Sequence, residues 1–147
     1  MKLIREVAGQ QIAQTAQESG VAPAFLAALI GNESGGKVDA KRFEPGVFAK
    51  LADVAIGIRE SYTGVTAGML YPIPGIQPVV PEAYAKATIS LLKEASTSWG
   101  WTQIMGYHML RWSEPISRLL DKNLHLSYTT RLLNEFQRDY KLKAGEC

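Results

Sequence analysis

Two short segments of this chain carry residue types and spacings suited to acid-catalysed cleavage of a polysaccharide. The first is Asn32-Glu33-Ser34-Gly35-Gly36. Phe25, Leu26, Leu29 and Ile30 precede it, so Glu33 falls on the last turn of a largely apolar helix that the glycines end. A carboxyl in that position is expected to be partly desolvated and to feel the negative potential of a helix C-terminus, and both effects favour its neutral form. A general acid must be neutral before it can protonate a glycosidic oxygen, and flanking glycines let a glycan approach the backbone closely. The bland alternative is a solvated glutamate in front of a glycine helix stop.

The second segment runs from Ser96 to Tyr107 (STSWGWTQIMGY) and packs two tryptophans, a tyrosine and several short polar residues into twelve positions. Aromatic faces stack on the CH surface of a pyranose, while Ser, Thr and Gln can bond its hydroxyl and N-acetyl groups. Ser98, Trp101, Gln103 and Tyr107 are the candidate sugar contacts. Ile104 and Met105 read as core, and Trp99 has a core reading beside the sugar-contact one.

The elements that must position these residues are mostly helical. Ile4, Val7, Ala8, Ile12 and Ala16 recur at three- and four-residue steps, which predicts an amphipathic helix ended by Ser19-Gly20. Pro23 suits the first turn of a second helix reaching about Glu33. Further helices are expected from Glu82 to Ala95, from Pro115 to Leu120 behind a cap at Ser113, and from Ser127 to Lys141 with Leu132, Leu133, Phe136 and Tyr140 inward. The stretch from Val65 to Pro81 holds more than half of the prolines, which excludes a regular helix and suits a turn-rich lobe with short strands. The expected fold class is mainly α within α+β, as one domain spanning residues 1–147.

Composition narrows the function classes. With 147 residues, 46% hydrophobic and 20% charged, the chain lies in the ordinary range of folded domains. A formal net charge of +2 is too small to point to nucleic acid. The single cysteine, Cys147, offers no intrachain disulfide or metal cluster, and His108 and His125 lack metal-ligand spacing and read as surface or packing residues. No cofactor and no metal are expected. The first residues carry charge and no apolar run, and no stretch approaches the roughly 20 apolar residues of a membrane span, so a cytoplasmic chain without stable membrane association is expected.

Taken in order, these motifs resemble the lysozyme-like superfamily, whose soluble lytic transglycosylases pair E-S-G-G with a later G-L-M-Q-I-M. A closer likeness is to the N-acetylmuramidase domain of phage endolysins, with E-S-G-G, then Phe-Glu ahead of another Phe, then S-W-G-x-x-Q-I-M-G. Here these are Glu33 to Gly36, Phe43-Glu44 with Phe48, and Ser98-Trp99-Gly100 through Gln103-Ile104-Met105-Gly106, together about a fifth of the chain. Where the endolysin pattern continues with a basic residue and His, this chain has Pro45-Gly46, so any role of that His is absent; Met105-Gly106 in place of Met-Pro departs from the transglycosylases.

The resemblance implies a lysozyme-like fold with a cleft and a peptidoglycan substrate, the glycan strand being cut between N-acetylmuramic acid and N-acetylglucosamine. It makes Glu33 the acid and implies a monomer that accumulates in the cytoplasm and acts on the cell wall after release by a membrane-permeabilising partner. Glu44 is the candidate second carboxylate, to orient water or stabilise positive charge, or else a structural carboxylate; Asp39 and Asp53 are weaker candidates. A lytic transglycosylase would need no second carboxylate. Arg42, Lys50 and Arg59 are read as solvated charges or as partners of peptide-stem carboxylates. Other readings are a non-catalytic peptidoglycan-binding or phage structural module, and a generic helical interaction domain.

Overall fold

The computed structural model describes residues 2–71 and 81–145. Its α-helices, in chain order, are α1 (Lys2–Ser19), α2 (Pro23–Ser34), α3 (Pro45–Ala55), α4 (Pro81–Ala95), α5 (Tyr107–Arg111) and α6 (His125–Gly145). The strands are short: β1 (Lys41–Phe43), β2 (Ser61–Tyr62), β3 (Val65–Thr66), β4 (Thr97–Trp99) and β5 (Ile104–Met105). The protein is mainly helical with a small antiparallel sheet, as the three- and four-residue apolar spacing predicts. The chain divides into two compact units, the first drawn from residues up to Ala40, Gly100–Gln103 and Arg118 onward, the second from Lys41–Trp99 and Ile104–Ser117.

In the first unit the core is built by Ile4, Ala8 and Ile12 of α1, Leu26 and Ile30 of α2, Leu126 of α6, and Trp101. Burying a Leu or Ile contributes about 1.5–3 kcal/mol each. Gly31 has a packing role here, since a Cβ on it would come within 2.8 Å of the Ile4 Cδ1 atom. At the end of α1, Gly20 takes φ +76 and donates its N–H to the Ala16 carbonyl at 2.9 Å, a left-handed stop that glycine adopts without steric cost.

Helix α6 begins two residues earlier than the sequence suggests, and its buried face is His125, Leu126, Tyr128 and Thr129. Leu132 and Leu133 are half-buried, but Phe136 is 57% exposed instead of inward. Phe136 shares the helix face of Thr129, seven residues back, so periodicity places it correctly. The helix has simply run beyond its core by that point. The Val7 and Tyr140 side chains lie outside the described residues, as does Cys147.

In the second unit β1, β4 and β5 form an antiparallel sheet in the order β1-β4-β5, with Arg42 opposite Ser98 and Ser98 opposite Met105. Strands β2 and β3 form a separate hairpin, closed by Thr63-Gly64. Helix α3 packs on α4 and on the hairpin, and α4 on α5. Leu51 and Val54 of α3 are fully buried, as are Val65, Leu70, Ala95 and Met109. The proline-rich stretch opens with β3 and a 3-10 turn at Ala67–Met69; its residues 72–80 lie outside the described residues.

Two expectations need correction here. The segment Ile116–Leu120 is a 3-10 helix, and Ser113 is no cap: with φ +55 it is a left-handed residue whose N–H donates to the Leu110 carbonyl at 3.2 Å, ending the unanticipated α5. The segment closes with a three-residue bond, the Asp121 N–H donating to the Arg118 carbonyl at 3.1 Å, which is the 3-10 pattern.

Candidate functional site

The glycines after Glu33 act first on the backbone. Gly35 and Gly36 take φ +64 and +91, left-handed values that end α2, and the Gly35 N–H donates to the Gly31 carbonyl at 3.1 Å. The Ser34 hydroxyl donates to the Ile30 carbonyl at 3.0 Å and accepts the Gly36 N–H at 3.3 Å, which leaves it no hydrogen for a ligand. Glu33 itself is exposed. The expectation that its carboxyl is partly desolvated is therefore corrected: Glu33 shares the face of Leu26, seven residues back, but in the last turn of α2 that face is open to water.

Gly100-Trp101-Thr102-Gln103 belongs to the same unit and closes on this segment. The Trp101 indole N–H donates to the Gly36 carbonyl at 3.2 Å, across a separation of 65 residues. Gln103, at φ +56, donates its amide to the carbonyls of Ala40 at 3.1 Å and Gly100 at 2.9 Å, and the Gly100 N–H donates to Ala40 at 2.7 Å. The loop that follows Glu33 is thus pinned by the tryptophan-glutamine motif. The first and third motifs meet in space.

Trp101 cannot stack on a sugar, however, because its side chain is fully buried. Its ring lies edge-on to His125, with centroids 6.3 Å apart, in the core of the unit. His125 is also fully buried and accepts the Thr102 N–H on Nε2 at 3.0 Å, while Nδ1 stands 2.7 Å from the Leu119 carbonyl. A backbone N–H can only donate and a carbonyl only accept, which assigns the neutral tautomer with its proton on Nδ1. Burial pushes the His125 pKa down to about 4, with the Leu119 carbonyl pulling the other way. Thr102 Oγ1 lies 2.9 Å from the same Nε2 and 2.8 Å from Thr129 Oγ1, so the polar cluster is internally satisfied.

The second unit joins the other matched residues. Glu44 follows β1, donates its N–H to the Ser96 carbonyl at 2.8 Å, and places Oε1 3.2 Å from Arg42 Nε. The Phe43 and Phe48 rings lie 5.8 Å apart. Ser98 is 6% exposed and its hydroxyl donates to the Arg42 carbonyl at 3.3 Å. A sheet-binding role fits Ser98 better than a sugar contact. Gly106 is required by close approach, since a Cβ there would strike the Glu94 carbonyl and the Ala95 backbone.

Tyr107 is half-buried, edge-on to Tyr62 at 6.1 Å and 4.4 Å from the His108 ring, with its hydroxyl in a hydrogen bond with the Thr63 side chain. Burial raises its pKa. Its neighbours Tyr62 and Thr63 escaped the sequence reading, although a Thr-Gly pair between Tyr62 and Val65 is a usable hairpin signal.

Glu33, Trp101 and Gln103 therefore belong to the first unit, and Glu44, Ser98 and Tyr107 to the second. Among the described residues no group of three His, Cys, Asp or Glu is placed to hold a metal ion, and no helix is long and apolar enough to cross a membrane. Comparison with family models, curated proteins and solved structures finds no match to this chain.

Proposed function

We propose that the chain is a lysozyme-like, peptidoglycan-cleaving glycosidase of the N-acetylmuramidase kind, in which Glu33 protonates the oxygen of the β-1,4 bond between N-acetylmuramic acid and N-acetylglucosamine. The observation that carries the reading is the Trp101 indole bonded to the Gly36 carbonyl: two motifs far apart in sequence are joined three residues beyond Glu33. An acid must also be reachable by its substrate, and Glu33 is exposed. In the second unit Glu44, ion-paired with Arg42 at 3.2 Å, is the candidate second carboxylate. In the first unit the backbone around Gln103 is left to hold sugar, Trp101 being engaged in structure, and in the second unit Tyr107 is the remaining candidate contact, Ser98 being engaged in the sheet.

Glu33→Gln should lower the release of soluble fragments from purified cell walls by at least about 100-fold, the scale of a lost general acid, with an unchanged far-UV circular dichroism spectrum. Wild-type release by that variant would end the proposal. Mass analysis of the products decides the nucleophile: reducing ends mean water, and ends lighter by one water mean attack by the muramyl 6-hydroxyl.

A further inference from the structure

Two cations of the second unit gather at one aromatic ring. Lys50 Nζ stands 5.4 Å, and the Arg59 guanidinium carbon 5.9 Å, from the centroid of Tyr62. Both side chains are exposed, and among the described residues neither forms an ion pair, whereas Arg42 is engaged with Glu44. Like charges gathered at one ring repel each other, and an anion would relieve that repulsion.

The support beneath them is rigid. The Asp53 carbonyl accepts the N–H groups of both Ile58, at 2.9 Å, and Arg59, at 3.1 Å, which fixes the turn that carries Arg59 off the end of α3. Thr63, a β-branched residue, sits at φ +49, a costly conformation that persists only where surroundings over-determine it. Here the surroundings are the Tyr107 hydroxyl, bonded to Thr63, and Arg111, whose Nε would lie 3.2 Å from a Cβ on Gly64. Tyr62 is thus held against Tyr107, itself a candidate sugar contact.

We infer that Lys50, Arg59 and Tyr62 form a subsite for a carboxylate of the peptide stem carried by the glycan. The inference rests on the peptidoglycan reading of the substrate. A peptide is favoured over a bare anion because apolar surface adjoins the cations: the Tyr62 ring that both approach, and Ile58, 73% exposed, immediately before Arg59. Short apolar side chains of a stem can rest there while its carboxylate meets the two charges.

The test is a nuclear magnetic resonance titration of the full chain carrying 13C-labelled tyrosine, with a soluble stem peptide bearing free carboxylates. Its fully amidated counterpart and inorganic phosphate, at matched ionic strength, serve as comparison probes. The free acid should shift the Tyr62 ring signals, and the amidated peptide and phosphate should not. Lys50→Gln with Arg59→Gln, its fold checked by circular dichroism, should weaken the apparent affinity by roughly fivefold to tenfold, as for two exposed ion pairs. Equal shifts from acid and amide, no shift from the acid, or an equal shift from phosphate would each overturn the subsite. Wall cleavage without a carboxylate-dependent shift retains the glycosidase and removes the subsite. A carboxylate-dependent shift in a chain that cuts no wall does the reverse.

Discussion

The cluster around Trp101 in the first unit and the cluster around Tyr62 in the second are composed of similar residues and do opposite things. Each combines aromatic rings, a threonine, a histidine and one non-glycine residue in the left-handed region, Gln103 in one and Thr63 in the other. In the first, the polar bonds found end on protein: Trp101 on Gly36, Gln103 on Ala40 and Gly100, His125 on Leu119 and Thr102. In the second, the aromatic pair leads outward to two exposed cations. Residue type alone does not separate a support from a contact surface. Burial does: Trp101 and His125 are fully buried, whereas Tyr62 and Tyr107 are half-buried and Lys50 and Arg59 are exposed.

The sharpest way to break the comparison is Gly100→Ala. Gly100 has φ +79, and a Cβ would run into the His125 ring and the Leu119 carbonyl, neither of which can retreat from a filled core. A loss of about 4 kcal/mol or more is expected, read by urea unfolding, because overpacking and left-handed strain add. The same substitution at Gly68, where nothing lies within 4 Å, should be nearly silent.

Next comes acid. The folded state holds His125 near pKa 4 and the unfolded chain near 6.5, so the unfolded state binds more protons between those values. This contribution is fully present above pH 6.5, falls as pH drops toward 4, and changes no further below that. It amounts to about 3 kcal/mol at most. His125→Gln should be less stable at neutral pH but show a flatter stability profile between pH 7 and pH 4. An unchanged slope would contradict the buried neutral assignment.

Trp101→Phe keeps most of the buried area and deletes the bond to Gly36. Its expected cost is about 1–3 kcal/mol, because the Gly36 carbonyl loses its indole partner in a buried setting. If Trp101 supports Glu33 without touching sugar, the variant should lose wall-cleaving rate with little change in KM. A large rise in KM would instead make it a contact. The smallest effect is expected at Thr63→Asn, which suits the left-handed turn better and should gain about 0.5 kcal/mol, offset in part by the lost bond to Tyr107.

The helices were legible because apolar spacing along Ile4, Ala8 and Ile12, or Leu26 and Ile30, is a direct trace of the buried face. The helix end at Gly35 was equally readable. The motifs around Glu33, Glu44 and Gln103 were visible as candidates, but their roles were not. Whether a tryptophan stacks on a ligand or fills a core depends on what approaches it from elsewhere in the chain, and Trp101 meets Gly36 and His125, each distant in sequence. Short strands were expected only in the lobe from Val65, where β3 lies; the other two- and three-residue strands escaped notice because alternation cannot declare itself over so few positions. Exposure of Phe136 and of Glu33 likewise depends on where the core stops, which periodicity does not encode.

The first unit's three-part composition has a consequence for the order in which the protein can be made. Helices α1 and α2 leave the ribosome with their apolar stripes complete, yet Trp101 and Leu126, which seal that core, are synthesised only much later. At about 5–20 residues per second the wait is on the order of ten seconds. Through that interval the nascent chain presents Leu26 and Ile30 to whatever chaperones attend it, while β1 to β4 and α3 can already associate. The opening segment of the chain is thus among the last to become native.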